Sequence, residues 1–168
     1  MGVSACLLGQ AVRYDGASKA HAWIQQELPG RAEIVSLCPE VGAGLEIPRP
    51  AVQLTQTEKG VRALGVENPA LDVTDVLLDW AARQAALLET LDALILKSRS
   101  PSCAVHSAPV FDAQGEITKH RHGLFTAWVA RHFPHLPLLD ECSAPSWFNS
   151  SVGRISDSAI RQQASKRK

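Results

Sequence analysis

The sequence predicts an α/β protein, in particular a Rossmann-like three-layer sandwich with a mostly parallel sheet and helices on both faces. Short apolar runs with strand character alternate along the chain with helical patterns, which is typical of parallel sheets. The most periodic helical pattern runs directly into the apolar segment Ala93 to Leu96, a helix-to-strand connection of the kind such sheets use. The 168 residues, 45% of them hydrophobic, suffice for one domain with a single sizeable core.

Two short strands and a modest helix are predicted near the start of the chain. Gly2 to Leu8 is an apolar strand, followed by the polar loop Val12 to Gly16, which ends in an Asp-Gly turn. A helix over Lys19 to Leu28 is stopped by Pro29-Gly30, and Glu33 to Leu37 forms the second strand.

The next segment is predicted to be an irregular loop and a hairpin. Glycine and proline recur between Val41 and Pro50, which argues against regular structure there. Val52 to Thr57 and Val61 to Leu64 flank the turn at 58–60, so we expect a hairpin off the main sheet.

A long amphipathic helix is the strongest periodic signal. Asp72 is expected to cap its start, and Asp75 places negative charge in its first turn. Its stripe of i, i+3, i+4 and i+7 steps consists of Val73, Val76, Leu77, Trp80, Gln84, Leu87, Leu88 and Leu91.

The last predicted elements are a helix over Leu124 to His132 and a strand over Leu136 to Leu139. Polar residues dominate after Glu141, and the end of the chain, Arg161 to Lys168, is basic. We therefore expect a domain over residues 1–141 and a partly ordered C-terminal extension over 142–168.

Charge and hydropathy restrict the classes of partner. Lys plus Arg and Asp plus Glu number 17 each, so the formal net charge is zero and no global field favours nucleic acid or a membrane surface. The start of the chain has no signal-peptide pattern, and no stretch reaches the ~18 apolar residues that a membrane span needs. The prediction is a cytoplasmic, soluble protein with a small-molecule partner.

Three cysteines lie where strand-like segments give way to loops. Cys6, Cys38 and Cys103 come from distant parts of the sequence, and a fourth, Cys142, follows the last predicted strand. Loops at the carboxyl ends of neighbouring parallel strands converge on one crevice, so three thiolates can meet at one metal centre. Burial as small hydrophobic residues is the alternative for each cysteine taken singly.

Four segments in this order resemble one known family. They are the stretch from Val3 to Gly16, Cys38-Pro39-Glu40-Val41 with Pro48-Arg49-Pro50, Asp72-Val73-Thr74, and Ser100-Pro101-Ser102-Cys103. Together they are similar to the TudS family of thiouracil desulfidases over roughly residues 1–141. The resemblance implies that sulfur is removed from a thiolated uracil, such as 2-thiouracil or 4-thiouridine monophosphate, and is replaced by oxygen without net redox change, releasing sulfide.

The resemblance also implies a cofactor and its ligands. A [4Fe-4S] cluster would be held by Cys6, Cys38 and Cys103, leaving one iron open as a Lewis acid. Glu40 would be the general base, and Ser100 would orient the substrate or relay a proton. The alternatives are a Glu40 carboxylate that only binds loop amides and a Ser100 hydroxyl that only shapes the turn.

Two polar segments are candidates for substrate binding. Arg13, Tyr14 and Asp15 lie next to the first cysteine, although a salt-bridged surface loop explains them nearly as well. Lys119 and Arg121 precede a predicted helix start, where basic neighbours favour a phosphate group. A solvated basic turn is the alternative.

Departures from the family pattern keep two other functions open. Ala104 replaces the usual glycine after the Ser-Pro-Ser-Cys motif, close to the expected pocket. If Cys142 were a fourth ligand, the protein would be a non-catalytic or electron-transferring iron–sulfur protein. The third possibility is a zinc-stabilised domain that binds small anions. Neither the choice of thiolated uracil nor a sulfide acceptor can be predicted from the sequence.

Overall fold

Short strands and short helices alternate through residues 1–150, the part of the chain that this computed structural model describes. In chain order the elements are β1 (Gly2–Ser4), α1 (Ala22–Gln26), β2 (Val35–Leu37), α2 (Pro39–Gly42), β3 (Val52–Thr57), β4 (Gly60–Gly65), α3 (Thr74–Arg83), α4 (Ala85–Leu88), β5 (Leu94–Leu96), β6 (Ala108–Phe111), β7 (Ile117–Arg121), α5 (Leu124–His132) and β8 (Leu138–Asp140). Most of the predicted C-terminal extension, including its basic end, lies outside the described residues.

A parallel sheet of four strands, in the order β2-β1-β5-β8, holds the carboxyl ends of its strands along one edge. Ser4 pairs in register with Leu37, and Leu96 pairs with Asp140, so the loops after all four strands start from that edge. The predicted α/β class with a parallel sheet is confirmed.

Side chains from helices pack on both faces of this sheet. Leu94 lies in a buried cluster with Trp80 of α3 and Phe125 of α5. Its neighbour Ile95 lies in a second buried cluster with Ile24 of α1. Adjacent residues of a strand point to opposite faces, which explains the division into two clusters. The finer Rossmann-like classification stays a prediction.

A second sheet, ordered β4-β3-β6-β7, contains the predicted hairpin. Leu54 and Val110 of its parallel pair β3 and β6 are fully buried, with Leu77 of α3 packed in the same cluster. Strands β6 and β7 were not predicted. Pro109 interrupts the strand signal of β6, and nearly every residue of β7 is exposed and polar, so neither has the alternation of a half-buried strand.

Several predicted boundaries near the start were too long. The first strand ends at Ser4, and Ala5–Leu8 form a 3-10 turn that closes at Gly9 with φ of +90°. The helix predicted over Lys19 to Leu28 is limited to Ala22–Gln26. The prediction of irregular structure from Val41 onwards was wrong for Val41 and Gly42, which belong to α2. Pro39 is the first residue of this helix, and the fixed φ of proline favours that position.

The later helices agree better with the sequence. The predicted long helix is divided at Gln84 into α3 and α4, because the backbone of Gln84 has ψ near zero. The Asp72 side chain accepts the amide of Thr74, the first residue of α3, at 3.0 Å, but the N-cap position itself is Val73 and not Asp72 as predicted. Asp75 lies in the first turn, as predicted. The predicted helix from Leu124 to His132 is confirmed at both ends. None of the helices in residues 1–150 has the length and apolar character that a bilayer span requires.

Candidate active site

A cavity of about 550 Å³ opens at the carboxyl edge of the parallel sheet, and Cys6, Cys38 and Cys103 all line it. Cys6 lies on the 3-10 turn after β1, Cys38 lies between β2 and α2, and Cys103 lies in the loop that follows β5. The structure thus brings together three residues that are far apart in sequence. The volume falls within the range of small-molecule sites, roughly 300–1,000 Å³.

The three thiols influence one another electrostatically. Burial raises the pKa of each thiol, and the neighbouring Cys38 raises the pKa of Cys6 further. Burial also dominates at Cys103, where the charges of Cys38 and Cys6 add to the increase in pKa. Buried thiolates that repel one another are stabilised by a positively charged centre, because metal binding requires and stabilises the deprotonated form. The chemistry of this donor set therefore fits a thiolate-bound metal cofactor.

A cluster and a single ion place different demands on three thiolates. Within residues 1–150, no three His, Cys, Asp or Glu side chains are grouped closely enough to hold one metal ion. A zinc ion would need each thiolate at about 2.3 Å, whereas the thiolates of an iron–sulfur cluster bind different irons. Cys142 is exposed and is not among the residues that line the cavity, which gives no support to ligation by a fourth cysteine.

Glu40 is held in a defined position at the cavity wall. One carboxylate oxygen, Oε2, accepts hydrogen bonds from Arg49 Nη2 at 2.7 Å and Nε at 2.9 Å. The other, Oε1, accepts one from the Ser102 hydroxyl at 2.9 Å. Arg49 Nη2 also donates to the Val12 carbonyl at 2.9 Å. The Glu40 carboxylate is bound by side chains. The structure therefore differs from the alternative in which this carboxylate binds only loop amides.

Ser100 shapes the turn that presents Cys103. Its hydroxyl oxygen accepts the backbone amides of Ser102 at 3.2 Å and Cys103 at 3.0 Å. This is the turn-shaping role considered for it from sequence. The same residue lines the cavity, and neither of these two bonds uses its hydroxyl hydrogen.

The loop after Cys6 contributes a buried donor. Arg13 and Tyr14 line the cavity, and Arg13 Nε is buried without a hydrogen-bond partner among the described residues. Asp15 does not line the cavity; it accepts the Ala17 amide at 3.0 Å and lies 3.4 Å from Arg13 Nε. Arg13 therefore lies at the cavity with Asp15 as the ion-pair partner of its Nε, and Asp15 contributes only by contact with Arg13.

Lys119 and Arg121 are not among the residues that line this cavity. Both belong to β7 of the second sheet, where Lys119 Nζ donates to Gln56 Oε1 at 3.0 Å. The amides at the start of α5 are also occupied, since Leu124 donates to the Pro101 carbonyl at 2.9 Å and Phe125 donates to Ser102 at 3.0 Å. The start of α5 therefore supports the loop of Cys103.

A buried ion pair at the cavity was not predicted from the sequence. Lys97 follows β5 and Glu141 follows β8, and the Lys97 ammonium group donates to Glu141 Oε1 and to the Ser98 hydroxyl. Burial alone would raise the pKa of Glu141, but hydrogen bonds from Lys97 and Ser98 lower it below the usual value. The signal that could have predicted this pair is a charged residue directly after each of two apolar strands.

Comparison with known proteins agrees with this geometry. The sequence model of the 2-thiouracil desulfurase family matches residues 1–141. A solved structure described as the [4Fe-4S]-dependent thiouracil desulfidase TudS is similar at 30% sequence identity, with a TM-score of 0.68. The similarity covers 91% of this chain and 97% of that one. No curated protein sequence matches. The chain belongs to the 2-thiouracil desulfurase family, and the protein is an enzyme.

Proposed function

We propose that this protein is a [4Fe-4S]-dependent desulfidase that replaces the sulfur of a thiolated uracil by oxygen. The reaction converts C=S and water into C=O and hydrogen sulfide, so atoms balance and no electron donor or acceptor is required. The observation that carries the proposal is the cavity shared by Cys6, Cys38 and Cys103 in a member of this family. The proposed substrates are 2-thiouracil and 4-thiouridine monophosphate.

Cys6, Cys38 and Cys103 are proposed to hold the cluster. When bound by three thiolates, a [4Fe-4S] cluster would supply one iron without a protein ligand, which can act as a Lewis acid towards sulfur. Residues 1–141 form the proposed catalytic domain, in agreement with the range of the family match, and residues 142–168 form an extension to it. The cytoplasmic location remains a prediction.

Glu40 is proposed to take the proton from the attacking water. The carboxylate lies at the cavity wall, and its position is set from both sides by Arg49 and Ser102. A general base must be held within hydrogen-bond reach of the proton that it removes, and these partners limit its rotation. Ser100 is proposed to donate its hydroxyl hydrogen to the substrate, because its oxygen is already an acceptor in the turn.

Substrate binding is proposed to depend on the positive charge of the cavity. Of the residues that line it, five are Lys or Arg and one is a carboxylate. Arg49 and Lys97 are paired with Glu40 and Glu141. Arg13 is proposed to contact the substrate through its guanidinium group, with Tyr14 beside it and Asp15 ion-paired to its Nε. The excess of cations favours an anionic substrate such as a nucleotide.

Lys119 and Arg121 stay candidates for substrate binding. Both are at the second sheet and outside the cavity, so they could contact only a part of a substrate that extends beyond it. Replacement of Lys119 or Arg121 by alanine tests such a contact, because loss of a phosphate contact raises KM for the nucleotide and leaves KM for the free base unchanged.

The direct test is sulfide release by the loaded enzyme. The protein is reconstituted anaerobically with iron and sulfide, the cluster is quantified by visible absorption, and 2-thiouracil or 4-thiouridine monophosphate is added. We expect sulfide and the oxygenated pyrimidine in equal amounts from at least one substrate. Absence of sulfide from both substrates with a fully loaded protein would refute the proposal.

A further inference from the structure

Two of the five cations that line the cavity, Lys19 and Arg99, have no acidic partner within residues 1–150. The hydrogen bonds of these two residues in that range involve only their backbone amides. The other three cations, Arg13, Arg49 and Lys97, are each ion-paired. The positive charge of the cavity that is not compensated within the described residues therefore belongs to Lys19 and Arg99.

These two cations lie at the opening of the cavity. Lys19 and Arg99 are exposed although both line it, whereas the side chains of Arg49 and Lys97 are only 7% and 15% exposed. The paired charges therefore lie deeper in the wall than the two without partners. An anion bound at the opening keeps part of its hydration, so binding there avoids most of the cost of burying a charge.

The backbones of both residues are bound to segments that carry the proposed ligand cysteines. The Lys19 amide donates to the Cys6 carbonyl at 2.9 Å. Arg99 lies in the loop between β5 and Cys103, and its amide donates to the Ser107 hydroxyl oxygen at 3.1 Å. A ligand bound by these two side chains is thus held in a defined position relative to the three cysteines.

The backbone of Arg99 has a conformation that disfavours arginine. Its φ is +59°, in the left-handed region that glycine adopts most readily. A residue with a side chain is strained there, and such residues are concentrated at binding and catalytic sites. Because glycine would fit this conformation with less strain, the arginine indicates a function of its side chain at the cavity.

We propose that Arg99 and Lys19 bind the phosphate group of a thiolated uridine nucleotide and so make the enzyme favour the nucleotide over the free base. The inference rests on the proposed function and names the residues that select its substrate. Guanidinium and ammonium groups form charge-assisted hydrogen bonds with phosphate oxygens. The thiolated base must reach the cysteines inside the cavity, whereas the phosphate is separated from the base by the ribose and stays at the opening.

The test compares the Kd of uridine monophosphate with the Kd of uridine for the reconstituted protein, measured by calorimetry. Uridine lacks the phosphate, so the ratio of the two values isolates the phosphate contribution. We expect the wild type to bind the monophosphate at least about tenfold more tightly, and Arg99→Gly and Lys19→Ala each to lose most of this preference. Glycine suits the left-handed backbone, so Arg99→Gly removes the side chain without adding strain. Arg99→Lys keeps the charge and is expected to retain part of the preference.

Arg83→Ala and Lys59→Ala are the matched controls, because both residues are exposed and do not line the cavity. An undiminished preference in Arg99→Gly or in Lys19→Ala, or an equal loss in either control, would refute the phosphate site. The outcomes also separate this inference from the proposed function. Wild-type protein that releases sulfide from 2-thiouracil but binds uridine and its monophosphate equally would refute the phosphate site alone. Loaded wild-type protein that releases no sulfide from either substrate would refute the proposed function, and with it the assignment of these residues to substrate selection.

Discussion

The Ser102 hydroxyl donates to Glu40 Oε1 at 2.9 Å, which joins the loop of Cys103 to the helix that follows Cys38. The two residues are separated by 62 positions in the sequence. One bond therefore connects two of the three cysteine segments and also fixes the carboxylate that is proposed as general base.

Replacing Ser102 by alanine is expected to loosen Glu40 without unfolding the protein. Loss of a hydrogen bond to a charged group costs roughly 1.5–3 kcal/mol, and Glu40 keeps its ion pair with Arg49. We expect a decrease of that size in the free energy of urea unfolding, together with a several-fold lower kcat. Ser36→Ala is the control for removal of a serine hydroxyl, because the Ser36 side chain lies exposed on β2. An unchanged kcat in Ser102→Ala would show that this bond does not position the base.

Loss of Arg49 is expected to destabilise the protein much more. The side chains of Arg49 and Glu40 are 7% and 13% exposed, so Arg49→Ala leaves a buried carboxylate without its cation. Breaking one partner of such a pair costs about 3–5 kcal/mol. The exposed pair of Arg31 and Glu27 provides the control, since Arg31→Ala should cost about 1 kcal/mol or less. Equal changes in the free energy of unfolding would contradict burial of the Arg49 pair.

Gly123 is expected to be essential for the position of Cys103. A Cβ atom at Gly123 would lie 2.4 Å from the carbonyl carbon of Ser102 and 2.7 Å from the Cys103 amide nitrogen, so alanine must displace that backbone. We expect Gly123→Ala to reduce the iron bound after reconstitution. Gly30→Ala is the control, because a Cβ there meets nothing within 4 Å. Full iron content in Gly123→Ala would mean that the loop adapts without loss of the site.

The Lys97 and Glu141 pair predicts a pH dependence of stability. The folded pKa of Glu141 lies below its usual value of 4.5, so its stabilising effect is complete above pH 4.5 and is lost as the pH falls through the folded pKa. Below about pH 4.5, the free energy of unfolding of the wild type should fall more steeply with decreasing pH than that of Glu141→Gln. Urea titrations across this range measure the difference. Parallel curves would contradict the assigned contribution of Glu141.

The cysteine cavity could be predicted because its geometry follows from local signals. Short apolar runs identify β1, β2 and β5, and the parallel arrangement then brings the residues after them to one edge. Helix α5 was predicted at both ends because its core positions, such as Phe125 and Val129, are strongly apolar.

The contacts across the sheet edge could not be predicted in the same way. Lys97 meets Glu141 only because β8 is the neighbour of β5, and strand order is not a local property of the sequence. β7 was missed because an exposed edge strand of threonine, lysine and histidine does not show the alternation of a half-buried strand.

Three cysteines, and not four, are proposed to hold the cofactor. The most direct measurement is iron and sulfide content after anaerobic reconstitution of Cys6→Ser, Cys38→Ser, Cys103→Ser and Cys142→Ser, with visible absorption recorded for each. We predict that the first three variants lose the intact cluster and sulfide release, whereas Cys142→Ser keeps both at the wild-type level. Loss of the cluster in Cys142→Ser, or an intact cluster with full activity in any of the other three, would contradict it.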